Sequence, residues 1–284
     1  MPYQAEISRT NPSCFLFLID QSGSMQEPFG TTDGAATGGK TKAESLADAI
    51  NRLLQNLVIK CAKSDGIRDY YHVGVIGYGG KGVGPAFGGP LKDKEMVPVS
   101  EIANNPTRVE QRVKKVDDGA GGLVELKIKF PVWFDAVGEG GTPMCTAFIT
   151  ATKLLTKWIS EHPNCFPPIV INISDGESSD MDPYQAATDL MTLASSDGEI
   201  LLFNLHLSSS AEKAIEYPND EEKLSDDHSK LLFSMSSVLP EYMQKMLSTE
   251  GVPVTFATRG FVFNADLVSV IRFLDIGTRP SNLR

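Results

Sequence analysis

Residues 14–20, CFLFLID, place six apolar side chains in a row ahead of the first charge. A strand with one wet face alternates, so an unbroken apolar run belongs to a strand covered on both faces, the habit of parallel sheets. The segment 169–173 reads the same way, and 70–78 (YYHVGVIGY) and 200–207 supply further strands. Between them lie helical stripes. Leu46, Ile50, Leu53, Leu54, Leu57 and Cys61 keep the 3.6-residue period across 42–60, and Met144, Ala147, Phe148, Ala151, Leu154, Leu155 and Trp158 form a second stripe. Asp182 and Pro183 stand where an N-cap and a first helical residue belong, which predicts a helix to about 195. Short helices are expected over 229–237 and 240–249, a last strand over 254–263, and a final helix over 265–276 capped by Asn264.

Strands alternating with amphipathic helices predict an α/β fold, a doubly wound three-layer sandwich around a mostly parallel sheet. One segment breaks the rhythm. Residues 124–134 alternate Val124, Leu126, Ile128, Phe130, Val132 and Phe134 against a polar set, so a strand with one wet face is expected. Pro131, which lacks a ladder donor, points it to a sheet edge, and one antiparallel edge strand joins the expected architecture. Residues 81–119 lack a clear period and read as an elaborated connection with room for a hairpin. Residues 208–230 read as an acidic surface excursion.

The 284-residue chain can bury one large core or two small ones, and no composition shift marks a boundary. A net charge of −10 argues against a nucleic-acid footprint or a polybasic membrane surface. The opening MPYQAEISRTNPS has no apolar signal-peptide core, and no run approaches a bilayer span, so a cytoplasmic location without membrane attachment is expected. Cys14, Cys61, Cys145 and Cys165 show no CxxC spacing and read as reduced, buried thiols. The four histidines are scattered and never paired at zinc spacing.

The apolar run at 14–20 ends in chemistry. Asp20, Ser22 and Ser24 recur at alternate positions, which sets three small oxygen side chains on one side of an extended chain. Such a row suits a hard cation, and it also describes an ordinary Asx or Ser turn. Open α/β sheets bind ligands beyond the carboxyl ends of their strands, where the strand order reverses. Two further segments belong there: Thr142 in the loop GGTPM, and Asp175 in SDGES at the end of the buried strand 169–173.

With those three pieces in order, the chain resembles the von Willebrand factor A (VWA) domains. DQSGSM at 20–25 matches that family's DxSxS motif, and Thr142 and Asp175 match its other two metal-site segments. The resemblance covers about 14–277 and implies a single domain of Rossmann-like topology with a metal-ion-dependent adhesion site. It implies Ser22, Ser24 and Thr142 as direct ligands, with Asp20 and Asp175 acting largely through coordinated water. The implied ion is Mg²⁺, with Mn²⁺ and Ca²⁺ as alternatives; the implied partner is a protein that supplies an Asp or Glu carboxylate, and no catalysis is implied. Met25, Gln26, Gly141 and Glu177 are the expected partner-binding rim. The segments LADAINRLL, GFVFNADL and IRFLDIGT further resemble bacterial stand-alone cytoplasmic VWA proteins of tellurite-resistance and signalling gene clusters. That subgroup implies a partner in a kinase or phosphatase system.

Two rival classes stay open on the sequence. GAATGGKT at 34–41, opened by Gly34 and closed by Thr41, matches the nucleotide-binding P-loop pattern, although it lies well beyond the end of the first strand rather than directly after it. On the metal reading, Lys40 and Lys42 are solvated charges flanking the helix start. Glu177 could serve a metal-dependent hydrolase as general base.

Overall fold

The computed structural model describes residues 2–29, 39–117, 123–208, 213–265, 269 and 272–273. Its central sheet is built on β1 (Ser13–Gln21), β2 (Tyr71–Gly79), β7 (Ile169–Ser174), β8 (Leu201–Leu207) and β10 (Phe261–Ala265). These run parallel in the order β10-β8-β7-β1-β2. Short antiparallel strands finish both ends of the sheet. β3 (Gly82–Pro85) and β4 (Val97–Pro98) pair with β2, and β9 (Ile215–Glu216) pairs with β10.

Along β1 the alternate side chains Phe15, Phe17 and Ile19 enter one core while Cys14, Leu16 and Leu18 enter the other. The first core is closed by α1 (Lys42–Cys61), α2 (Val99–Asn104) and α6 (Glu241–Thr249). The second is closed by α3 (Met144–Glu161), α4 (Tyr184–Met191) and α5 (Asp227–Ser234). This is the doubly wound α/β sandwich that the unbroken apolar runs predicted. All four cysteines are buried and free. No helix among the described residues is long and apolar enough to cross a membrane.

Buried polar side chains join these layers. Asn51 of α1 accepts from the backbone N–H of Trp133 at 2.8 Å and of Phe134 at 3.1 Å, and donates to the Phe134 carbonyl at 2.7 Å. Across the sheet, the Tyr78 hydroxyl donates to Asn172, whose amide donates to Asn204, whose amide in turn reaches Ser236.

Several expectations are corrected. The alternating segment near 124–134 is β6 (Leu123–Val132), and it does not edge the central sheet: it pairs along its length with β5 (Arg108–Asp117) in a separate two-stranded ribbon. Alternation does not name a strand's neighbour, and over 124–129 both faces of β6 are exposed, so the expected dry face is absent there. Phe130, Val132, Trp133 and Phe134 are buried at the ribbon's base, whereas Val124, Leu126 and Ile128 are exposed. The strand expected over 254–263 shrinks to β10, because Thr255 and Thr258 close a turn on each other and on Asn219, and Phe256 is 90% exposed. The excursion 208–230 is not all surface, since it supplies β9 and buries Tyr217 and Leu224. Asn264 lies within β10. Most of the helix expected over 265–276 falls outside the described residues, as do 30–38 of the glycine-rich loop.

Candidate functional site

β1 is an interior strand where the chain reverses direction across the sheet: β2 lies on one side of it and β7 on the other. Asp20 lies at the carboxyl end of β1, at that switch point, where open α/β sheets bind ligands. Asp20 is 1% exposed, and both of its carboxylate oxygens are taken. Oδ1 accepts from the Ser22 backbone N–H at 2.8 Å and Oδ2 from the Ser174 hydroxyl at 2.6 Å. Burial pushes its pKa up, hydrogen bonds from Ser174 and Ser22 oppose the rise, and the nearby Asp175 charge adds to it.

The short turn Gly23–Gln26 carries Ser24 next to Ser22, and their hydroxyl oxygens lie 3.0 Å apart. Ser24 Oγ donates to Asp175 Oδ1 at 2.7 Å. Thr142, 6% exposed, comes from the loop ahead of α3. Gly176 separates it from Ser24: a Cβ on that glycine would stand 3.9 Å from Thr142 Oγ1 and 4.0 Å from Ser24 Oγ. Asp20, Ser22, Ser24, Thr142 and Asp175, read from three separate stretches of sequence, therefore sit together.

Backbone hydrogen bonds fix the loops to one another. Gly23 N–H donates to the Gly140 carbonyl at 2.9 Å, and Glu139 N–H to the Gln21 carbonyl at 2.7 Å. Thr142 N–H donates to Ser179 Oγ at 2.7 Å, and Ser179 N–H returns a bond to the Thr142 carbonyl at 2.9 Å. Gly140 has φ +74, and a Cβ there would fall 2.3 Å from Gly80 Cα, so this crossing of two loops admits only glycine.

The donor set suits a hard cation. Six oxygens at 2.0–2.1 Å from Mg²⁺ put neighbouring ligands about 3.0 Å apart. The Ser22–Ser24 spacing of 3.0 Å matches such an edge, Asp175 Oδ1 holds Ser24 Oγ at 2.7 Å, and every donor is oxygen. Among the described residues, no cluster of three or more His, Cys, Asp or Glu side chains offers another metal site.

Lys42 corrects the sequence reading. Expected as a solvated charge, it is 4% exposed and donates to Asp175 Oδ2 and to Glu27 Oε2, each at 2.8 Å. Burial alone would lower its pKa, but the bonds to Asp175 and Glu27 prevail and raise it. A signal for this was present in the sequence. A cation in the first turn of a helix opposes the helix dipole and needs a reason to be there. Ser174 and Ser179 were also missed, because a serine beside a strand end carries no signal of its own.

The expected rim divides. Met25 is 0% exposed and packs in the α1-side core, which removes it from any partner surface. Gln26, Gly141 and Glu177 are exposed. Gln26 donates to the Gly138 carbonyl at 3.3 Å, and Glu177 lines a cavity of about 350 Å³ with Asp180, Asp182 and His228. Of the P-loop-like stretch, Gly34 lies outside the described residues, Lys40 pairs with Asp48, and Thr41 caps α1 in a reciprocal box with Glu44.

No protein-family model and no curated protein matches the sequence. Among solved structures, the chain is similar to the ArnB paralog VWA2 from Sulfolobus acidocaldarius, at 12% identity and a TM-score of 0.30. The match covers 72% of this chain and 36% of that one, so this chain spans about a third of that protein's length. The fold assignment therefore stands on the sheet order and the two helical layers.

Proposed function

We propose that this chain is a divalent-cation-dependent protein-binding module. In this reading Ser22, Ser24 and Thr142 hold Mg²⁺ directly, while Asp20 and Asp175 act largely through water, one of them coordinating directly depending on state. The ion supplies an electrophilic coordination position for a partner's Asp or Glu carboxylate. The observation that carries the reading is the convergence of Ser22 Oγ, Ser24 Oγ and Asp175 Oδ1 at 2.7–3.0 Å spacings at the switch point. Neutral hydroxyls bind without adding charge, so the site keeps its affinity for an incoming anion. Asp20 orients the Ser22 backbone, and Ser174 orients Asp20.

The same geometry supports binding without catalysis. Each oxygen of Asp20 and of Asp175 accepts one internal hydrogen bond, which fixes these carboxylates to orient the hydroxyls and the water of an ion. Glu177 is exposed beyond the hydroxyl cluster. The setting proposed is a bacterial cytoplasmic signalling or stress-response system whose partner belongs to a kinase or phosphatase assembly.

Titration calorimetry with MgCl₂ tests the reading. The wild-type chain should bind about one ion, and Ser22→Ala with Ser24→Ala should abolish the heat while far-UV circular dichroism stays native. An unchanged stoichiometry in the double mutant sinks the ligand assignment. Partner capture with and without EDTA, rescued by excess Mg²⁺ in wild type but not in Thr142→Ala, tests the second half.

A further inference from the structure

The two oxygens of Asp175 have different partners. Oδ1 accepts from Ser24 Oγ at 2.7 Å and faces the hydroxyl cluster; Oδ2 accepts from Lys42 Nζ at 2.8 Å. The Lys42 and Asp175 side chains are 5% and 0% exposed, whereas Glu27, the ammonium's other partner, is 57% exposed. An ammonium at this depth is unfavourable unless it is paired, and it also sits at the wrong end of the α1 dipole. Asp175 is the partner that answers both penalties from inside the protein.

We propose that Lys42 determines the ion specificity of the cation site by holding Asp175 Oδ2, which leaves Asp175 one oxygen for the ion and favours Mg²⁺ over Ca²⁺. The inference rests on the reading of Ser22, Ser24 and Thr142 as ligands, in the state where Asp175 is the carboxylate that coordinates the ion directly through Oδ1. Ca²⁺ takes six to eight oxygens at 2.3–2.6 Å and often draws both oxygens of one carboxylate, whereas Mg²⁺ takes six at 2.0–2.1 Å. A carboxylate whose second oxygen is bonded to a buried ammonium serves the smaller shell and starves the larger one. The charge on Lys42 repels both dications alike, so it weakens both affinities without changing their ratio. The ratio therefore separates the positioning of Asp175 from bulk electrostatics.

The test is calorimetric titration of the full chain with MgCl₂ and, separately, CaCl₂, for wild type, Lys42→Met and Lys42→Arg. Wild type should bind Mg²⁺ at least tenfold more tightly than Ca²⁺. In Lys42→Met both ions should bind more tightly and the preference should fall at least tenfold. Lys42→Arg, which keeps a donor on Asp175, should retain the preference. If wild type binds both ions within twofold of each other, the proposal is overturned without any variant, which keeps it falsifiable should Lys42→Met lose its native circular dichroism. If wild type discriminates and folded Lys42→Met discriminates equally, the proposal is overturned while the cation site stands. If neither ion binds wild type, the cation reading fails and the proposal falls with it.

Discussion

Replacing Asn51 by alanine should remove about 3 kcal/mol of stability, and the structure says where the loss arises. The Asn51 side chain is 2% exposed and joins α1 to the segment that leaves the β5–β6 ribbon for the Thr142 loop. Its Oδ1 accepts from Trp133 N at 2.8 Å and Phe134 N at 3.1 Å; its Nδ2 donates to the Phe134 carbonyl at 2.7 Å and to Ala47 O at 2.8 Å. The Ala47 carbonyl keeps its helical partner when the amide is lost, but the Trp133 and Phe134 groups lose theirs. Each buried polar group left unpaired costs about 1–3 kcal/mol. Water entering the vacated volume recovers part of that, so three groups at the low end give about 3 kcal/mol. For a chain of this size that lowers the melting temperature by about 6–12 °C. Urea unfolding followed by circular dichroism measures it, with exposed Asn56→Ala on the same helix as the control, expected within about 0.5 kcal/mol of wild type. A loss below about 1 kcal/mol in Asn51→Ala, at an unchanged m-value, would refute the claim that this amide docks the segment.

Two further outcomes follow from individual side chains. His206 stacks on Phe263 and is held neutral by burial, with His228 beside it, so its pKa falls from 6.5 to about 4. Between those values the unfolded chain binds a proton that the folded chain refuses. Stability is therefore lost as pH falls through 6.5 towards 4, by about 2 kcal/mol between pH 7 and pH 5; urea midpoints at the two pH values should differ less in His206→Gln, and an identical acid slope counts against this origin. Lys40 is paired with Asp48, so the chain should neither bind nor turn over ATP. Binding that disappears in Lys40→Ala would restore the P-loop reading.

The parts legible in the sequence were those in which one residue pattern has one structural solution. The apolar run ending at Asp20 could only be a strand buried on both faces, and β1 is an interior strand of the sheet with core on either side. The stripe through Leu46, Ile50, Leu54 and Leu57 could only be a helix with one dry side. Asp20, Ser22, Ser24, Thr142 and Asp175 were findable together because each follows or precedes a strongly patterned element. What stayed hidden depends on partners distant in sequence. Alternation in β6 could not reveal that β5 would take its ladder, and nothing local to Lys42 names Asp175. Met25 was misplaced because a turn after a strand looks wet from the sequence, while the fold aims that side chain inward.

The bonds that assemble the site span long stretches of chain: Ser174 meets Asp20 across 154 residues, and Ser24 meets Asp175 across 151. At about 5–20 residues per second of synthesis, the β7 side of the site leaves the ribosome roughly 8–30 s after the β1 side. β2 emerges sooner and can cover one edge of β1. The other edge waits, with apolar side chains on both faces of the strand. Contacts this distant also slow folding, because the closure entropy of the long loop must be met before they form. The site is thus completed late, and a nascent chain stalled before residue 169 holds Asp20, Ser22 and Ser24 without the strand that joins them to Asp175.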